Sequence, residues 1–329
     1  RMLGMPSKVI LQVLQLLWVL LFVVPKPHVL LMQNPPSIPT MLVCVLVRLL
    51  RGCKFVIDWH NFGYTLLALR FHSGQEHPLV RFSESYERFF GQLADGSLCV
   101  TKAMQAWLRT NWGVTASVLY DRAPAFFRQQ SAAEARELFE RLAKSDCPAL
   151  EAMLDTSPPA LIVSSTSWTA DEDFGMLLSA IEELEKQEGS RALFVITGKG
   201  PEKAFYERRI AAMELKRSTV VTAWLAAADY PRLLGAATIG ISLHTSSSGL
   251  DLPMKVVDMF GAGLPVCAVG FPCLAELVQH GENGLVFDTA SSLAEHLQRL
   301  LRKFPHERQE LDKLQSGAQK FQSIRWQDN

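Results

Sequence analysis

With 329 residues, the chain is long enough for two domains of ordinary size. Hydrophobic residues make up 48% of it, enough for two buried cores, and 33 basic side chains against 33 acidic ones exclude a nucleic-acid partner recruited by bulk charge. The six cysteines, Cys44, Cys53, Cys99, Cys147, Cys267 and Cys273, form no CxxC pair and have no histidine cluster beside them, which argues against zinc and for buried thiols in a reducing compartment.

Residues 8–24 are an apolar run carrying Gln12, Gln15 and Trp18. It falls slightly short of the roughly 20 apolar residues a spanning helix needs. Pro25-Lys26-Pro27 is no secretory cleavage site. A helix packed in a domain or lying on a membrane surface is expected, with a true span as the alternative. A buried strand is predicted at 28–33, a turn at Asn34-Pro35-Pro36-Ser37, and an apolar helix at 40–50 stopped by Gly52. A strand at 54–58 closes with Trp59-His60-Asn61, and strand, helix, strand at this spacing implies a parallel sheet. Helices at 64–71 and 79–93, a strand at 97–100, a helix at 102–111 ended by Gly113 and a strand at 117–120 continue the pattern. Between 125 and 159, charged helical residues alternate with Pro148, Pro158 and Pro159 without a strand signal, as in a linker.

From residue 160 the alternation restarts. Strands are predicted at 161–164, 192–197, 219–222, 238–243, 265–269 and 285–287, with helices at 171–188, 202–214, 229–235, 253–261, 274–280 and 291–303. The fold class is α/β, with two Rossmann-like doubly wound domains facing a cleft. The expected divisions are an N-terminal domain at 1–124, a linker at 125–159, a C-terminal domain at 160–304 and a tail at 305–329. In open parallel sheets, ligands bind beyond the carboxyl ends of the strands.

The most informative loop runs from His244 through Ser247, Ser248, Gly249 and Leu250 to Pro253, then opens a helix. Small residues before a helix start present N–H groups at the positive end of the helix dipole, which suits an anion. Lys255 adds a point charge for a diphosphate, and Asp258 shares its face, where a carboxylate can accept from ribose hydroxyls. A surface ion pair is the competing reading of those two residues.

The stretch 252–266 resembles the P-x-K-x-x-[ED]-x-x-x-x-G-x-P-V segment of GT-B-fold, nucleotide-sugar-dependent glycosyltransferases. More narrowly, the chain resembles the chitobiosyldiphosphodolichol β-mannosyltransferase family. The matching segments are Gln33-Asn34-Pro35-Pro36, residues 56–64, residues 163–169, residues 196–201 and residues 244–260, in order along nearly the whole chain. The resemblance implies transfer of mannose from GDP-mannose to GlcNAc2-PP-dolichol, with inversion, at the cytosolic face of the endoplasmic reticulum membrane. The absence of an Asn-x-Ser/Thr acceptor is compatible with that face. The implied partners are GDP-mannose, dolichol-linked chitobiose, the membrane and other dolichol-pathway mannosyltransferases. No tightly bound cofactor is implied, and no Asp-x-Asp metal motif is evident beyond Asp171-Glu172-Asp173, which sits at a helix start.

Inversion needs a base for the acceptor hydroxyl and stabilisation of the departing GDP. His60 is the candidate base or sugar contact, unless it only caps its loop, and Asp58 is the rival base. Ser165, Thr166, Gly198, Lys199, Trp224 and His244 are candidates for donor binding, together with the loop and helix residues above. Gly198 and Gly200 permit close backbone approach. Trp224 either borders the base or belongs to the core. Against the family's pattern the N-terminal domain reads as incomplete. A shortened, catalytically inactive paralogue that binds nucleotide sugar or associates with the active enzyme is therefore the alternative.

Overall fold

The computed structural model describes residues 4–169 and 172–326. The chain divides into two compact units, residues 1–120 with 246–252 and residues 121–245 with 253–329.

The first unit opens with α1 (Gly4–Trp18), which widens into a π-type turn at Val19–Val23. Val13, Leu16, Leu17, Leu20 and Leu21 pack onto Val43, Val47 and Cys53. Ile10, Leu14, Trp18 and Phe22 recur every fourth residue on another face and stay exposed. Arg51 donates to the orphan carbonyls of Leu20 (2.6 Å) and Val24 (2.9 Å), which tethers the end of this segment. Among the described residues, no helix is long and apolar enough to cross a membrane.

There follow β1 (Val29–Asn34), α2 (Thr40–Arg51), β2 (Lys54–Trp59), α3 (Gly63–Ala68), α4 (Pro78–Gly91), β3 (Gly96–Cys99), α5 (Lys102–Trp107) and β4 (Ser117–Val118). The four strands form a parallel sheet in the order β1-β2-β3-β4. Gly52 ends α2 in the left-handed region at φ 61°, as the sequence predicts. Along β2, Phe55, Ile57 and Trp59 point into the core. Residues 246–252 are fastened to this unit. The Thr101 hydroxyl donates to the Leu250 carbonyl (2.6 Å), and the Asn61 amide donates to Ser247 Oγ (3.3 Å).

The second unit contains α6 (Ala132–Ala143), β5 (Ala160–Ser165), α7 (Phe174–Glu185), β6 (Ala192–Thr197), α8 (Lys203–Ala211), β7 (Ser218–Ala223), α9 (Asp229–Ala236), β8 (Ile239–Ser242), α10 (Met254–Gly261), β9 (Val266–Val269), β10 (Gly284–Phe287), α11 (Ala290–Leu301) and α12 (Gln309–Gln322). Its six parallel strands lie in the order β10-β9-β8-β5-β6-β7. The direction of winding reverses between β5 and β8, the point where ligand crevices form in such sheets. Every residue of β6 is buried, because helices cover both faces of a parallel sheet.

Several elements differ from the sequence expectation. Within 125–159, α6 buries Leu138, Phe139 and Leu142, and Arg141 clamps Asp229 with bonds of 2.9 and 2.5 Å. Its many charges mask a narrow apolar stripe. Residues expected as a tail form α12, whose Leu311, Leu314 and Ala318 are buried and whose Phe321 meets Phe260. The helix expected at 274–280 is only a 3-10 turn at Leu274–Glu276, because Asn283 captures the Gln279 N–H (2.8 Å) and the Leu277 carbonyl (3.0 Å). The helix expected from 171 starts at Phe174, where the Asp173 side chain caps the Met176 N–H. Asp171 lies outside the described residues.

Candidate functional site

The carboxyl ends of β5 and β6, the loop after β7 and the start of α10 enclose a cavity of about 470 Å³ in the second unit. Ser165, Thr166, Gly198, Trp224, Lys255 and Asp258, all candidates from sequence, line it. Ser167, Thr197, Leu225, Ala227 and Tyr230 complete the lining.

The loop after β5 is tightly turned. Trp168 adopts a left-handed φ of 49°. Such a conformation costs about 1–3 kcal/mol in a non-glycine residue, offset here by complete burial of the indole against Phe174 and Tyr206. Thr166 accepts from the Trp168 N–H (2.8 Å), and its own hydroxyl donates to Glu172 (2.5 Å). The Gly198-Lys199-Gly200 loop lies directly on this turn. A Cβ at Gly198 would fall 1.8 Å from the Thr166 carbonyl oxygen, and one at Gly200 would fall 1.7 Å from that of Ser167. These glycines are therefore required by a neighbouring backbone, whatever ligand the loop meets.

Lys199 and Trp224 interact directly: the ammonium sits 4.0 Å above the indole ring, and the indole is 53% exposed. Trp224 is thus not a core residue. The aromatic and aliphatic side of the cavity also includes Leu225 and Tyr230. The Tyr230 hydroxyl donates to Ser165 Oγ at 3.1 Å. Burial pushes the Tyr230 phenol up to about 12, and the nearby Asp258 carboxylate adds to the shift.

Lys255 stands in the first turn of α10 and Asp258 three residues on. Burial pushes the Asp258 carboxyl up to about 7. Lys255 forms an ion pair with Glu172, whose side chain is 2% exposed. The acidic run containing Glu172 gives no sign in the sequence that this one residue turns inward. Tyr230 was equally hidden, since an aromatic on a short helix carries no specific signal.

The remaining candidates lie elsewhere. His244 follows β8, half-buried, outside the lining of this cavity. Ser247, Ser248, Gly249 and Leu250 belong to the first unit. There Ser248 donates to Asp251 (3.1 Å), and Gly249 takes a φ of 72° to turn the loop. Also in the first unit, His60 Nε2 lies 3.0 Å from Asp58 Oδ2, so the carboxylate orients the imidazole. Among the described residues, no group of three His, Cys, Asp or Glu side chains is placed to hold a metal ion.

Comparison with known proteins agrees with this architecture. Residues 2–120 match the glycosyl transferase 4-like domain, and residues 158–303 match the glycosyl transferases group 1 family. The chain is 45% identical to "UDP-glycosyltransferase TURAN" of Arabidopsis thaliana, over 97% of this chain and 78% of the relative. It is 44% identical to the Homo sapiens chitobiosyldiphosphodolichol beta-mannosyltransferase, over 98% of this chain and 75% of the relative. The Mus musculus protein of the same name is 43% identical, over 100% of this chain and 73% of its own length. Among solved structures, HepE of Anabaena in complex with UDP superimposes with a TM-score of 0.64 at 17% identity, covering 90% of this chain and 74% of that one. Sucrose-phosphate synthase of Thermosynechococcus elongatus gives 0.67 at 14% identity, covering 91% and 70%. These structural likenesses speak to the GT-B fold alone. Taken with the sequence relatives and the two family matches, they make the chain a glycosyltransferase, and it belongs to the chitobiosyldiphosphodolichol β-mannosyltransferase family.

Proposed function

We propose that the chain transfers mannose from GDP-mannose to dolichol-linked chitobiose, GlcNAc2-PP-dolichol, forming a β1,4 bond with inversion at the cytosolic face of the endoplasmic reticulum membrane. The observation that carries this reading is the cavity at the switch point of the six-stranded sheet, where Lys255 and Asp258 project from one helix start. Lys255 is assigned to the donor diphosphate and Asp258 to the ribose. Lys199 and Trp224 border the base. In the first unit, His60 is assigned as the base for the acceptor hydroxyl, and Asp58 holds its ring. No metal enters this scheme. The exposed stripe of Ile10, Leu14, Trp18 and Phe22 suits the lipid interface, with the basic Lys8 and Lys26 near its two ends.

Calorimetry with GDP and UDP, and mannosyl transfer from GDP-mannose to a short lipid-linked chitobiose, test the proposal. GDP is expected to bind more tightly than UDP, and the product to carry a β-linked mannose. Lys255→Ala is expected to weaken GDP binding by about tenfold, the low end for losing a charge-assisted contact. Binding indifferent to Lys255 sinks the donor assignment. GDP binding without turnover would favour the non-catalytic relative instead.

Asp258 adds a pH signature. Its ionised form accepts from both ribose hydroxyls, and its carboxyl titrates near 7. GDP affinity should therefore fall as pH drops from 8 to 6. Asp258→Asn should bind more weakly and lose that pH dependence. Titrations across this range, with the buffer's own effect subtracted, decide the point.

A further inference from the structure

The cavity is poor in positive charge for a diphosphate site. Among its lining residues Lys255 is the one cation, and the Asp258 carboxyl stands beside it. Behind the wall lies a second carboxylate, that of Glu172, with almost no solvent contact. Both of its oxygens are used. Oε2 accepts from the Thr166 hydroxyl (2.5 Å) and the Ser167 N–H (3.2 Å), and Oε1 takes the Lys255 ammonium. Thr166, Ser167 and Lys255 all line the cavity, so Glu172 holds three of its walls together.

We infer that Glu172 is an internal competitor for Lys255, a positioning residue that occupies the ammonium until a nucleoside diphosphate arrives and that weakens the hold on the diphosphate product. The inference rests on the donor-site reading above. The physical basis is charge. A buried carboxylate is weakly screened and repels a diphosphate brought to the same lysine. Lys255 must then share its hydrogen bonds between the two anions, since an ammonium has three donors. The hydrogen bonds from Thr166 and Ser167 fix Glu172 in place, so it cannot swing away to relieve the repulsion. The arrangement favours release of the leaving nucleotide at the expense of its affinity.

Two measurements on the full chain test this. The first compares guanosine with GDP in the wild-type protein. The diphosphate should improve binding by no more than about tenfold, because its main cation is already partnered. The second repeats both titrations with Glu172→Gln, which keeps an oxygen acceptor and removes the charge. GDP should bind roughly tenfold or more tightly, and guanosine should bind within about twofold of wild type. A purely structural role for Glu172 would move both ligands together, or neither. A wild-type gain well above tenfold from the diphosphate, or a Glu172→Gln variant that binds GDP no better than wild type, overturns the inference while leaving the donor site standing. Absence of GDP binding in both proteins overturns the donor site and the inference with it.

Discussion

Gly198→Ala is expected to destabilise the second unit by at least about 4 kcal/mol and to abolish nucleotide binding. Two costs combine. At φ 143°, the position lies where side chains are rarely accommodated, a strain of about 1–3 kcal/mol. The added methyl would also fall 1.8 Å from the Thr166 carbonyl oxygen, which belongs to backbone and has no rotamer to escape into. Overpacking of this kind costs about 1–3 kcal/mol even where neighbours can yield. Here the neighbour is the loop that carries Thr166 and Ser167 into the cavity. Gly281→Ala is the control in the same unit. Its φ of 79° is strained, but nothing lies within 4 Å of the new Cβ. It should cost only about 1–2 kcal/mol and leave GDP binding intact. Denaturant unfolding with calorimetry on both variants makes the comparison. Equal losses would show that the close approach to Thr166 does not matter.

Replacement of Glu87 is expected to have a comparable effect on the first unit. This side chain of α4 is completely buried and accepts from Tyr64 N (2.8 Å), Gly63 N (3.1 Å), Ser37 Oγ (3.2 Å), Asn34 Nδ2 (3.3 Å) and Ser83 Oγ (3.4 Å). It therefore ties the loops after β1 and β2 to α4, and His60 and Asn61 belong to the second of those loops. Glu87→Ala strands buried donors at about 1–3 kcal/mol each where water cannot reach, so a total loss of about 3–5 kcal/mol is expected after relaxation.

The pH dependence of Glu87 has a definite sign. Burial pushes its carboxyl up to about 7, against the pull of the surrounding donors. The folded state then holds a proton that the unfolded chain releases near 4.5. Stability contributed by Glu87 is complete below that pH, declines as pH rises towards 7, and is lost above it, a change of about 3 kcal/mol. Asp258 slopes the same way in the second unit. Asp95, held well below the usual carboxylate range chiefly by Arg48, acts in a lower window with the opposite sign. Unfolding free energies between pH 4.5 and 7.5 should fall less steeply in Glu87→Gln than in wild type. Parallel curves would remove Glu87 as the source.

Much of this molecule is written locally. The period-2 pattern of Phe55, Ile57 and Trp59 sets the buried face of β2, and Gly52 stops α2 because no other common residue adopts that conformation without cost. The spacing of Lys255 and Asp258 places both on one face of α10, a consequence of helix geometry alone. The order of the segments along the chain identifies the family, and with it the GT-B fold. Tertiary structure decided what such periodicities cannot carry. Whether the acids after β5 face solvent or interior depends on the strained turn at Trp168 and on a lysine 83 residues away, and only the folded unit brings Glu172 and Lys255 together. The membership of residues 246–252 in the first unit depends on hydrogen bonds to Asn61 and Thr101, partners remote in sequence. Glu87 likewise reads as one more surface acid on an amphipathic helix until Asn34, Ser37, Gly63 and Tyr64 converge on it. Local sequence specifies the direction in which a side chain leaves the backbone, while its charge environment is set by the chain segments that fold against it.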